Sequence, residues 1–133
     1  MAAGLLALGF QRGDRLGIWA PNCMEWILTQ YATALIGVIQ VNINPAYKEN
    51  ELEYALNKVK CKGIIMSETY KRQNYVDIIS NICPELESSK AGDLKLKKLS
   101  HLKNIIVIGD KNIKYVSNFL LFFNLFQVFI ELK

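Results

Sequence analysis

The sequence predicts an α/β fold, a mostly parallel sheet with helices on its faces, from three features. Short β-branched and aliphatic runs alternate with longer amphipathic stretches. The short runs are apolar throughout instead of alternating with polar residues, as strands covered on both sides are. Gly or Pro punctuates most of the boundaries between them.

Residues 2–8 read as the last turns of a helix stopped by Gly9. Residues 15–20 (RLGIWA) follow the Gly13-Asp14 turn as a strand, which Pro21-Asn22 breaks. Asn22 is placed to cap the next helix, and Glu25 three residues on completes a capping-box pattern. In that helix Met24, Ile27, Leu28, Tyr31, Leu35 and Ile36 recur at helical spacing and predict the inward face. Glu25, Thr29 and Thr33 hold the opposite side. Gly37 ends the helix.

Residues 38–43 form a second strand, turned by Asn44-Pro45. Leu52, Ala55, Leu56 and Val59 share one face of a following helix. Glu49, Glu51 and Glu53 stand at its start and Lys58, Lys60 and Lys62 at or beyond its end, a polarity that complements the helix dipole. Residues 63–66 (GIIM) give a third strand, and Tyr75, Ile78, Ile79 and Ile82 a helix closed by Pro84. The polar, Lys/Ser-rich residues 85–103 read as a connector, and 104–108 (NIIVI) as a fourth strand before Gly109-Asp110. The expected core is Ile18, Ile27, Leu28, Tyr31, Leu35, Val41, Leu56, Ile64, Ile65 and Ile79.

With 133 residues, 51% hydrophobic and 21% charged, the composition supports one packed domain and excludes disorder, collagen and a disulfide scaffold. The net charge is +4, and seven lysines between 90 and 114 face only Asp93 and Asp110. That segment reads either as a contact for anions or as a solvated connector. It lacks Arg and has no aromatic before Tyr115, which argues against nucleic acid as a partner. Cys23, Cys61 and Cys83 are widely spaced, without a C-x-x-C pair, and read as reduced thiols serving as small core hydrophobes. The lone His101 has no ligand spacing to any of them, so no metal site is expected, and no G-x-S-x-G elbow accompanies it. The first ten residues lack the basic start and cleavage site of a signal peptide. The apolar run 119–130 is too short for a spanning helix, which needs about 20 residues.

A nucleotide site on this fold needs backbone N–H groups at a strand-to-helix turn. Neither G-x-G-x-x-G nor G-x-x-x-x-G-K-[ST] occurs. Gly9, Gly13 and Gly17 are spaced by four, but Gly9 follows a helix and Gly17 lies inside a strand.

Two long stretches, GDRLGIWAPNCMEW (13–26) and ATALIGVIQVNINPAYKENELEYAL (32–56), resemble the N-terminal part of the adenylate-forming (AMP-binding) acyl-CoA synthetases. CKGIIM (61–66), ICPELE (82–87) and LKNIIVIGD (102–110) continue the likeness, which is strongest to the medium-chain type. The resemblance implies an N-terminal subdomain over residues 1–110 and a non-family hydrophobic tail over 111–133. The tail reads as sequence from outside the family, or as a helix or strand that completes the sheet.

The family ligates a fatty acid to coenzyme A with ATP and magnesium, and the medium-chain likeness implies a mitochondrial location. No targeting signal is visible, so the chain as it stands is expected to be cytoplasmic. The family's Thr/Ser/Gly-rich phosphate loop, adenine-binding aromatic, ribose-binding Asp and C-terminal Lys have no counterpart in these 133 residues. Catalytic, cofactor-binding and metal residues are therefore all expected to be none, and the piece inactive and without cofactor alone. The matching positions have structural roles: Asn22 as cap, Gly37 as stop, Pro45 as turn, Leu52 and Tyr54 on a packed helix. An alternative is a non-catalytic piece that binds a partner chain or a membrane surface through its basic segment and Phe-rich tail.

Overall fold

The computed structural model describes residues 1–92, 94–109 and 113–119. Five parallel strands form one sheet: β1 (Arg15–Trp19), β2 (Ile39–Asn42), β3 (Gly63–Ser67), β6 (Asn104–Ile108) and β7 (Ser117–Asn118). Their spatial order is β2-β1-β3-β6-β7. A two-stranded hairpin, β4 (Thr69–Tyr70) and β5 (Gln73–Asn74), stands at the carboxyl end of β3. The helices are α1 (Ala2–Ala7), α2 (Met24–Ile36), α3 (Glu49–Lys58) and α4 (Tyr75–Ile82), followed by a 3-10 turn at Pro84–Ser88. The parallel α/β class and the four main strands agree with the sequence. The hairpin, the 3-10 turn and β7 are additions, too short for any periodicity to announce.

Side-chain alternation divides the strands between two cores. Ile64 and Met66 of β3 and Ile105 and Val107 of β6 point to the α3/α4 side, while Ile65, Ile106, Leu16 and Ile18 point to the α1/α2 side. The α3/α4 core is the larger, and residues 94–102 are part of it. Leu94, Leu96, Leu99 and Leu102 are buried there, with the lysines between them exposed. The connector reading of 85–103 is thus corrected. Leucine burial fixes the segment to the sheet, and its polarity belongs to the outward half only.

The second correction concerns α2. Its buried residues are Thr29, Ala32 and Thr33. Met24, Ile27, Tyr31 and Leu35, expected inside, are exposed, Leu35 by 80%. Leu28 and Val41 are half-buried; Ile18, Leu56, Ile64, Ile65 and Ile79 lie in the core as expected. Small and β-branched residues let the helix lie close to the sheet, and the threonine hydroxyls are satisfied within the helix. Thr29 Oγ1 donates to Glu25 O at 2.7 Å and Thr33 Oγ1 to Thr29 O at 2.8 Å. Burying them therefore leaves no polar group unpaired.

Local termini follow the expected logic in part. Gly37 takes the left-handed conformation (φ 69°) that stops α2. Asn22 is not the cap: Cys23 occupies that position, with no side-chain hydrogen bond. In α3 the Glu51 carboxylate accepts the Lys48 N–H at 3.2 Å, supplying half of a capping box. Tyr54 lies on the exposed side of that helix, whereas Leu52 is fully buried.

Candidate functional site

In a parallel α/β sheet a ligand crevice opens beyond the carboxyl ends of the strands, near the point where strand order reverses. Here the chain runs from β1 outward to β2 and then crosses back to β3, so the reversal lies between β1 and β3. A crevice of about 780 Å³ opens beside it, over the carboxyl ends of β1 and β2. Ala20, Pro21 and Asn22 after β1 form one wall, and Asn42, Ile43, Asn44 and Pro45 at the end of β2 form another. Trp26 of α2 and Tyr70 of the hairpin complete it.

The turn chemistry explains its shape. Asn44 Oδ1 accepts the Ala46 N–H at 2.9 Å, folding the chain over Pro45. Below, Trp19 stacks on Tyr75 with ring centroids 3.5 Å apart and planes 7° apart. The Tyr75 hydroxyl donates to Pro45 O, so the aromatic pair ties α4 to the wall of the crevice. Burial holds that phenol well above its ordinary pKa and so keeps it a donor. Trp19 Nε1 is buried with no partner among the described residues.

The lining is neutral: three Asn amides and apolar or aromatic side chains, with no Lys, Arg, Asp or Glu. It contains no glycine whose N–H could close on a phosphate. Gly9 and Gly13, both at positive φ, turn the chain before β1, at the opposite edge of the sheet. These residues do not fit a nucleoside triphosphate and its magnesium ion. A second groove of about 560 Å³ lies between β2, the edge strand, and α3, with Val41, Tyr47, Tyr54 and Lys58 in its lining. No group of three acidic, Cys or His side chains suited to a metal exists among the described residues.

The three cysteines are free. Burial pushes the Cys61 and Cys83 thiols up to about 11, and raises Cys23 as well, so each is held as a thiol and not as a nucleophilic thiolate. His101 is exposed. The crevice itself was missed from the sequence. Pro21-Asn22 and Asn44-Pro45 read there as two separate turns, and only the β2-β1 pairing makes them neighbours.

The sequence model of the family described as "AMP-binding enzyme" matches residues 1–117. A mitochondrial medium-chain acyl-CoA ligase of Mus musculus is 50% identical over 107 residues, covering 80% of this chain and 17% of that protein. The chain thus spans about a sixth of the length of this curated relative. Among solved structures, an anthranilate CoA ligase in complex with anthranoyl-AMP superposes with a TM-score of 0.74 at 23% identity, covering 92% of this chain and 20% of that one. A putative long-chain-fatty-acid CoA ligase from Rhodopseudomonas palustris gives 0.66 at 27% identity, covering 93% and 26%.

Proposed function

The chain belongs to the AMP-binding enzyme family, and on that premise we propose that it is the amino-terminal subdomain of an ATP-dependent acyl-CoA synthetase. The reaction is fatty acid, ATP and CoA to acyl-CoA, AMP and pyrophosphate, with magnesium, and medium-chain acids are the substrate class. The observation that carries this reading is the family match over residues 1–117 together with 50% identity to a medium-chain ligase, of which the match covers 17%. The mitochondrial location of that relative supports a mitochondrial setting for the complete protein.

We place the strongest family likeness in residues 1–110, with 111–117 still inside the family match and 118–133 beyond it. Within it, the chain's own residues build scaffold. The Trp19–Tyr75 stack and the Asn44-Pro45 turn fix one wall of the crevice, while the outward face of α2 waits for a covering layer. Charge developing on a transferring phosphate needs preorganised donors, cations or metal, and losing a single such donor costs roughly 10²–10³ in rate. The neutral crevice offers none of the charged ones.

The 133-residue chain is therefore inactive alone. The test is acid-dependent exchange of labelled pyrophosphate into ATP, with octanoate and magnesium. No exchange above a heat-denatured control is expected. Reproducible exchange in preparations free of host ligases overturns the reading.

A further inference from the structure

The parallel topology collects the loops that precede the sheet's strands at one edge, and three of them carry seven of the sixteen basic side chains. Residues 9–14, 59–62 and 95–103 contain seven basic side chains and Asp14, and two further carboxylates touch them: Glu53 pairs with Lys98 at 3.5 Å and Glu85 accepts the Lys97 N–H at 2.6 Å. Seven positive against three negative charges leave the rim at +4, the whole net charge of the chain, so the remainder of the molecule is balanced. The loops are knitted together. Lys62 N–H donates to Arg15 O at 2.9 Å, Lys103 N–H to Lys62 O at 2.8 Å, and Asn57 Nδ2 to Lys98 O at 2.9 Å. Arg12, Lys60, Lys97, Lys98 and Lys103 are exposed on this rim. Two lysine groups about forty residues apart in sequence thus form one surface, directly opposite the crevice edge.

Lys60 adds a separate observation. Its backbone sits at φ 53°, the left-handed region in which glycine or asparagine is favoured, just beyond the end of α3. A lysine there is a conformational cost that glycine would remove.

We propose that this amino edge is an electrostatic docking surface for an anionic phospholipid bilayer, oriented so that the carboxyl-edge crevice faces water. Lysine ammonium groups on a rim engage a diffuse layer of headgroup charge without needing fixed geometry. Nucleic acid fits less well. Apart from His101 these loops expose no ring on which a base could stack, Phe10 being buried, and the Arg15 guanidinium is spent on the carbonyls of Gly13, Val59 and Lys60. The charge separation between rim and remainder also sets the direction of approach.

The experiment is co-sedimentation of the 133-residue chain with phosphatidylcholine vesicles, with or without phosphatidylserine. Binding is expected only to the anionic vesicles and is lost at about 1 M salt, where the Debye length falls to about 3 Å. Each basic residue near such a surface is worth about fivefold in partitioning, so Lys60→Glu/Lys103→Glu lowers it by more than about twentyfold. The same charge change at the hairpin on the crevice edge, Lys71→Glu/Arg72→Glu, leaves binding within about twofold, far short of the rim variant. Lys60→Gly raises the melting temperature and weakens partitioning about fivefold, two readouts that a merely structural lysine would not couple. Equal binding to neutral vesicles, equal losses from the two double variants, or tighter binding to single-stranded RNA at the same salt overturns the proposal. Circular dichroism of each variant confirms that it is folded before it is scored.

Discussion

Thr29, Ala32 and Thr33 win the inward face of α2 over four larger apolar residues, and this sets what substitutions there should do. Leu35 is mostly in water already, so Leu35→Ser is expected to cost less than about 0.5 kcal/mol. Ala32 touches the sheet, and Ala32→Leu should destabilise by about 1–3 kcal/mol through overpacking. Leu52→Ala, at a fully buried position, should cost about 2–5 kcal/mol. Urea midpoints of the three variants check the ranking, and a Leu35 cost as large as that of Leu52 would show that α2 is turned the other way.

The buried thiols give a pH dependence with a definite sign. Unfolded cysteine ionises near 8.5, while Cys61 and Cys83 in the fold do so only at about 11. Below the unfolded value both states are protonated and the stability is fully present. As pH rises between the two values the unfolded state alone releases protons, so stability falls by up to ~1.4 kcal/mol per pH unit per thiol. Cys61→Ala/Cys83→Ala should start less stable yet lose stability less steeply from pH 8.5 to 11. An unchanged slope in urea titrations of parent and variant would remove the thiols as its cause.

At the scale of elements, strands were the most legible part of the sequence, because residues such as 63–66 and 104–108 are apolar throughout and sharply bounded. Helix positions were legible too, but not which face α2 buries. Periodicity ranks faces by hydrophobicity, whereas close packing on a sheet also rewards small size. The 94–102 segment failed for the converse reason. Its lysines dominate the composition, yet Leu94, Leu96, Leu99 and Leu102 follow the inward positions. Leu99→Ala should therefore cost about 2–5 kcal/mol and Lys97→Ala less than about 0.5 kcal/mol, measured by thermal or urea unfolding.

Burial also decides where the chain can be shortened. The apolar composition of 116–133 leads to the expectation that ending after Lys114 improves solubility. Tyr115 and Phe119 are buried, β7 pairs with β6, and Tyr115 shares a 2.7 Å hydrogen bond with Ser80. A chain ended after Lys114 forfeits all of these and should unfold at lower urea than one ended after Phe119. Residues 120–133, the rest of the expected tail, lie outside the described residues.

For the whole molecule, the separation of surfaces is the feature no single motif could disclose. The crevice lining is neutral, the amino edge is basic, and one broad side carries Met24, Ile27, Tyr31 and Leu35 outward on α2. An apolar stripe of four large side chains is more than scattered surface hydrophobicity. Uncovered, it should drive self-association of the 133-residue chain, since burying apolar area gains about 25 cal/mol per Å². Ile27→Gln/Tyr31→Gln/Leu35→Gln removes three of the four side chains without touching either core. Sedimentation velocity over a range of concentration should show association in the parent and a monomer in the variant, at nearly the same unfolding midpoint. Salt separates this contact from the basic rim, because apolar association strengthens or holds as ionic strength rises while contacts through the lysines weaken. Association that disappears in high salt, or that survives the triple variant, would place the contact elsewhere and leave α2 as an ordinary solvated helix.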